Sequence, residues 1–166
     1  MAQADKEMRL HGQDTGEWDS DLDERNRLRL KEIISQIGWP TISQYGREVS
    51  SAAWLIAQHS DPEPVFQAEC LDLIHQLADD EIDPTNLAYF EDRVRVNQGK
   101  PQIYGTQFHM NVKKGILRPR PIEDEANLEE RRKAVGLNSM AEYTAEMRAI
   151  YQRHKAGIKN NHKPQE

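Results

Sequence analysis

Three groups of residues in this chain have the types and spacing for chemistry. His59 and Asp61 lie two apart in AAWLIAQHSD, where a carboxylate beside a histidine at a helix end would orient the ring or raise its basicity, as a general base requires. The same pattern equally describes an Asp that caps a helix and a His that fills a buried polar position. In QIYGTQ, read as extended chain, Gln102, Tyr104 and Thr106 point one way and Ile103, Gly105, Gln107 and His109 the other. One face then presents an amide, a phenol and a hydroxyl, which would bind a polar ligand or fasten the segment to a neighbouring helix. Asp92 falls in an apolar stripe with Ala88, Tyr89 and Val96, with Arg93 beside it. A carboxylate buried there is either a salt-bridge pin or a site of chemistry.

The elements that must position these groups are mostly helices. Leu87, Phe90 and Val94 form a second apolar stripe on the helix that carries Asp92, so this helix, opened by Asp83-Pro84 and stopped at Gly99, is central. Before it, Ser20 starts a helix with the apolar series Leu30, Ile33, Ile34 and Ile37, ending at Gly38 and a Trp39-Pro40-Thr41 turn. SSAAWLIAQHS, residues 50 to 60, is small, apolar and uncharged, a second buried helix with Gln58 and His59 at its C-terminal end. Asp61-Pro62 reads as cap and first position of a helix whose inner face is Phe66, Cys70, Leu73, Ile74 and Leu77. After Gly99, QIYGTQFHMNV and ILRPRPI suit a two-stranded ribbon. Helix returns over 127–135, and Ser139 with Glu142 forms a capping box for the last one. The expectation is mainly α: a compact multi-helix single domain over 18–154 with a small β-ribbon, a flexible arm over 1–17 and a flexible tail over 155–166.

Composition narrows the function. The net charge is −6, with no basic excess for a phosphate backbone, so nucleic acid is not expected as a partner. No apolar run approaches the roughly 20 residues of a membrane span, and the first residues lack the apolar core of a signal peptide, so a cytoplasmic protein is expected. The single cysteine, Cys70, lies on an apolar helix face and reads as core. No phosphate loop, dinucleotide fingerprint, nucleophile elbow or His-Glu-x-x-His motif is present, so no cofactor is expected. No histidines stand at metal-ligand spacing; a metal-dependent hydrolase would need His59, Asp61 and His109 to converge in space. The run from Glu123 to Lys133, acidic then basic, reads as a solvated helix.

Several segments taken together resemble a known family: GWP at 38–40, AAWLIAQHSD at 52–61, FQAECL at 66–71, DRV at 92–94, GKPQIYGTQF at 99–108, and RR--VGL at 131–137. The chain is similar, from about Arg27 to about Tyr143, to an uncharacterised bacterial family catalogued as domain of unknown function 6624. The family's usual Gln-His-Ala-Asp stands here as Gln-His-Ser-Asp, with Ser60 the departure. The resemblance carries no established activity, but its motif positions are polar: Gln58, His59, Asp61, Gln67, Asp92, Arg93, Gln102, Tyr104, Thr106 and Gln107. It implies a cleft between the two buried helices and the ribbon, with His59 and Asp92 as an acid-base pair and Arg93 as an anion anchor. The expected function is that of a cofactor-free acid-base enzyme of hydrolase, lyase or cyclase type. His59 is its base, Asp92 the orienting partner or complementary acid, and Arg93 the ligand for a carboxylate on a small polar substrate. The rival expectation is a non-catalytic interaction or accessory module whose polar network is structural. Oligomeric state cannot be read from the sequence.

Overall fold

The computed structural model describes residues 20–160, so the expected arm and the last residues of the expected tail lie outside the described residues. Helix α1 spans Ser20–Ile37, α2 Ile42–Gln58, α3 Pro64–Ile74 and α4 Pro84–Asn97. Strands β1, Phe108–Asn111, and β2, Ile116–Pro119, follow; a 3-10 turn, Glu125–Asn127, leads into α5, Leu128–Ala134, and α6 spans Met140–Asn160. The fold is mainly helical with one small antiparallel ribbon, as the sequence periodicity predicts. No described helix is long and apolar enough to cross a membrane.

Local signals account for most of the boundaries. Gly38 closes α1 with φ +73° and an N–H donated to the Ile34 carbonyl at 2.9 Å. The Asp83 carboxylate caps α4 by accepting from the N–H groups of Thr85 (3.0 Å) and Asn86 (3.4 Å), with Pro84 in the first turn. Ser139 and Glu142 make the reciprocal bonds of a capping box, at 2.9 and 3.2 Å. Three boundaries differ from expectation. Helix α2 starts at Ile42 rather than Ser50, because Glu81 supplies acceptors for its first turn: its carbonyl takes the Ile42 N–H and its carboxylate the Ser43 N–H. Gly46 (φ +82°) then breaks the helix within that early stretch. Asp61 does not cap α3, which begins at Pro64; its carboxylate is drawn to α4 instead. Helix α6 runs past His154 to Asn160, through a stretch with no proline to stop it.

Helices α1 to α4 enclose the core, where Leu30, Ile56, Phe66, Cys70, Ile74 and Phe90 are buried. Each such side chain contributes about 1.5–3 kcal/mol relative to an exposed one. Ala53 and Ala57 keep the inner face of α2 low, so neighbours approach closely. Helices α2 and α4 run parallel, with α3 as the return between them: Asn86 Nδ2, in the first turn of α4, donates to Ser51 Oγ in the middle of α2 at 3.5 Å, and Arg93, further along α4, reaches Asp61 just beyond the end of α2. Glu63 ties α1 to the start of α3 by accepting from Arg27 Nε at 2.7 Å and from Lys31 Nζ.

Candidate functional site

The centre of the polar architecture is Asp92. It lies on the face of α4 turned toward the 102–107 segment and has no exposed surface. Its Oδ1 accepts the N–H groups of Ile103 (2.6 Å) and Tyr104 (2.9 Å), and its Oδ2 accepts the N–H (2.8 Å) and Oγ1–H (2.9 Å) of Thr106. Four donors fill the lone-pair sites of one carboxylate, so the buried charge is compensated by oriented dipoles. The chain can turn around it because Gly105 takes φ +73°; a Cβ there would also stand 3.0 Å from Met140 Sδ and 3.3 Å from Ile122 Cδ1.

The carbonyls of the same loop are taken by cations and a phenol. Arg95 Nε donates to Pro101 O (2.7 Å), Arg131 Nε to Ile103 O (3.0 Å), Arg132 Nη1 to Tyr104 O, and the Tyr143 hydroxyl to Thr106 O (2.9 Å). Gln102, fully buried, donates from Nε2 to the carbonyls of Gln107 (3.0 Å) and Arg120 (2.9 Å) and accepts the Gln107 N–H at 2.8 Å. Apart from Gly105, every backbone donor and acceptor from Ile103 to Thr106 has a side-chain partner. The expected strand alternation over 102–107 therefore does not form: the segment is a loop wrapped on a carboxylate, and regular strand begins only at Phe108. Gln102 and Thr106 are internal braces, Gln107 donates to Thr106 Oγ1 at 3.1 Å, and Tyr104, like Ile103 and Gln107, is half-buried. Burial, with the charges of Glu91 and Asp92 acting alongside and Arg131 against, raises its pKa above the usual phenol value.

A second network closes the end of α2. Arg93 grips Asp61 with Nε (2.8 Å) and Nη2, and Asn97 Nδ2 donates to the same carboxylate at 2.9 Å. Gln67, fully buried, donates from Nε2 to the carbonyls of Ala57 and Gln58, both at 3.2 Å, and accepts from Asn97 at 2.8 Å. It thereby satisfies the last carbonyls of α2 from the side of α3. Burial pushes the Asp61 pKa up, but hydrogen bonds and charge from Arg93, then Asn97 and Gln67, outweigh it and leave the carboxyl below its ordinary value. His59 occupies the C-terminal cap of α2, half-buried, its backbone N–H on Leu55 O at 3.2 Å.

These positions correct the expected pairings. Arg93 is paired with Asp61 and not with Asp92, since successive residues of a helix diverge by about 100°. Tyr104 is held by its N–H on the Asp92 face of α4, while Asp61 is held by Arg93 and Asn97, about 100° and 140° round the helix from Asp92. The single cleft expected to hold His59, Asp92 and Tyr104 is thus divided by α4 into a loop side and an α2 side. Among the described residues no group of three or more His, Cys, Asp and Glu side chains could hold a metal ion, so His59, Asp61 and His109 do not form the triad that the metal-dependent alternative requires. The 123–133 run is not wholly a solvated face either. Arg132 has no exposed surface: it donates to Asn138 O (2.7 Å) and Oδ1 (3.1 Å) as well as to Tyr104 O, and lies 5.2 Å over the Tyr143 ring. A local signal for it exists, because Arg132 stands four residues after the buried Leu128, on the inner face of α5.

Fold and site together define a small helical domain organised by a buried carboxylate that gathers a loop, with a separate polar junction between α2 and α4. The chain belongs to a family of unknown function, DUF6624, whose model matches residues 13–155. No curated protein and no solved structure matches the chain.

Proposed function

We propose that this protein is a cofactor-free acid-base enzyme acting on a small polar metabolite, and that its working end is the C-terminal end of α2. The observation that carries the reading is Gln58: the residue is 5 % exposed and, among the described residues, its Oε1 has no hydrogen-bond partner. The fold satisfies Gln67, Asp92 and Gln102 completely, so an open acceptor beside the half-buried His59 suits a donor group on a ligand. His59 is then the group that takes or returns a proton. The Asp61–Arg93 pair is a fixed polar wall, the arginine fork being filled by the chain's own carboxylate. Asp92 has no part in the chemistry; its role is to hold the loop. Hydrolysis, elimination and cyclisation are all within reach of one histidine and a polar wall. A cytoplasmic bacterial setting fits the charge and composition, and the reading calls for neither nucleic acid nor membrane.

The test is a thermal-shift screen of small amides, amino acids and dicarboxylates, followed by proton NMR of any binder incubated with the parent and with His59→Gln. A ligand at 100 times its Kd should stabilise the fold by about 2.7 kcal/mol. The expected result is a binder that the parent converts and His59→Gln binds but leaves unchanged. A binder left unchanged by the parent, or no binder at all, overturns the enzyme.

The second reading, an interaction module, is favoured by a separate feature. Ile37, Tyr45 and Val49, all more than 40 % exposed, line an apolar groove of about 190 Å³ between α1 and α2, the type of surface that partners cover.

A further inference from the structure

One more polar atom on α2 is buried without a hydrogen-bond partner among the described residues: the indole Nε1–H of Trp54. Ser51, Trp54 and Gln58 stand at i, i+3 and i+7, on one stripe of the helix. That stripe faces α4, since Ser51 Oγ accepts from Asn86 Nδ2. Asn86, Phe90, Arg93 and Asn97, at i, i+4, i+7 and i+11, form the answering stripe, and the last two hold Asp61 immediately beyond α2. The helices are therefore pinned by polar contacts at both ends of a short stretch, with Trp54 and Gln58 between the pins. A buried donor and a buried acceptor left open four residues apart on one stripe of the seam are each unfavourable for folding, and their chemistry is complementary to one particular kind of group.

We propose that Trp54 and Gln58 form a two-point clamp for a neutral ligand group carrying an acceptor and a donor side by side, such as a carboxamide or a ureido group. Trp54 Nε1–H donates to the ligand oxygen, and Gln58 Oε1 accepts the ligand N–H. A carboxylate satisfies Trp54 alone and sets its charge against the Gln58 oxygen, so the clamp discriminates against it. The Trp54 side chain is only half-buried, and rotation of its ring admits the group. The proposal rests on the reading that the ligand sits at this end of α2 and names the chemistry of the part that enters.

The experiment uses the full chain labelled with nitrogen-15 and titrated in turn with propionamide, methylurea and propionate. The Trp54 indole N–H signal, assigned by its loss in Trp54→Phe, is followed together with the ring signals of His59. The expected result is a saturable shift of the indole signal with propionamide and methylurea and none with propionate, and about tenfold weaker amide binding in Gln58→Leu. An indole signal that ignores both amides, or that moves as far with propionate, overturns the clamp. If the ligands move His59 while neither amide moves Trp54, the clamp falls and the site reading stands; if nothing moves either residue, both fall. Should Gln58→Leu fail to fold, Gln58→Glu is the substitute, and retention of parent-like amide binding in it counts against the clamp.

Discussion

Replacing Asp92 by Asn tests whether this carboxylate is what holds the 103–106 loop. The amide keeps one oxygen, able to accept from Ile103 and Tyr104, but its NH₂ then faces the Thr106 N–H, a donor against a donor. The Thr106 hydroxyl can rotate and accept, so one backbone N–H is left orphaned at a cost of about 1–3 kcal/mol. The two remaining bonds lose their charge assistance, roughly 1 kcal/mol each. Removing a buried charge returns part of this, and the net expectation is a loss of about 3 kcal/mol, a large share of the 5–15 kcal/mol typical of a domain. The assay is the urea midpoint with the slope unchanged, joined to hydrogen exchange at Ile103, Tyr104 and Thr106, whose protection should fall more than that of α1. A variant as stable as the parent, with the three amides still protected, would refute the reasoning. Such a result would mean that the arginine and phenol contacts to the carbonyls suffice.

Other expectations follow from the same contacts. Arg132→Met leaves the carbonyls of Tyr104 and Asn138 without their donor and should lower stability by about 2–4 kcal/mol, while Arg29→Met, at an exposed i,i+3 pair, should change it by less than about 0.5 kcal/mol; equal urea midpoints for the two would contradict the burial of Arg132. Gly105→Ala forces a left-handed Ala against Met140 and Ile122 and should lower stability by about 1–3 kcal/mol, readable as a fall in Tm. Glu63, through hydrogen bonds from Lys31 that outweigh burial, joined by those from Arg27, and Asp61 both have pKa values below ordinary, so the unfolded chain takes up these protons first as pH falls. Their contribution is present above the usual carboxylate range near pH 4 and is lost as pH drops through the folded values; Asp61→Asn should flatten the fall of the urea midpoint between about pH 5 and 3, and an unchanged slope would count against it. Burial, with some help from Glu69, pushes the Cys70 thiol up to about 12, so a thiol reagent at mildly alkaline pH should label the protein only in urea, and labelling of the native chain would contradict its place in the core.

What the sequence alone determined is what depends on neighbours along the chain. The Asp83 cap, the Ser139 and Glu142 box, the glycine stop at Gly38 and the apolar spacing of α1 to α4 each act within one or two turns, so helix count and core followed from periodicity. The position of Asp92 inside an apolar stripe announced a buried carboxylate for the same reason. Its partners could not be read there, because all but the Thr106 hydroxyl are backbone N–H groups 11 to 14 residues further on, and every residue but proline carries the same N–H whatever its side chain. The assumption of a charged partner pointed to Arg93, the nearest cation in sequence, whereas helix geometry turns Arg93 toward Asp61, 32 residues earlier. The spacing of Arg132 from Leu128 marks it for the inner face of α5, but nothing local says that a loop from residues 101–106 packs its carbonyls there, so Arg131 and Arg132 looked like a solvated charge run. The tertiary structure alone decided that α4 separates Tyr104 from the end of α2, and that Trp54 and Gln58 meet no partner across the seam they share with it. Hydrogen-bond satisfaction belongs to the whole packed chain, and no segment carries it by itself.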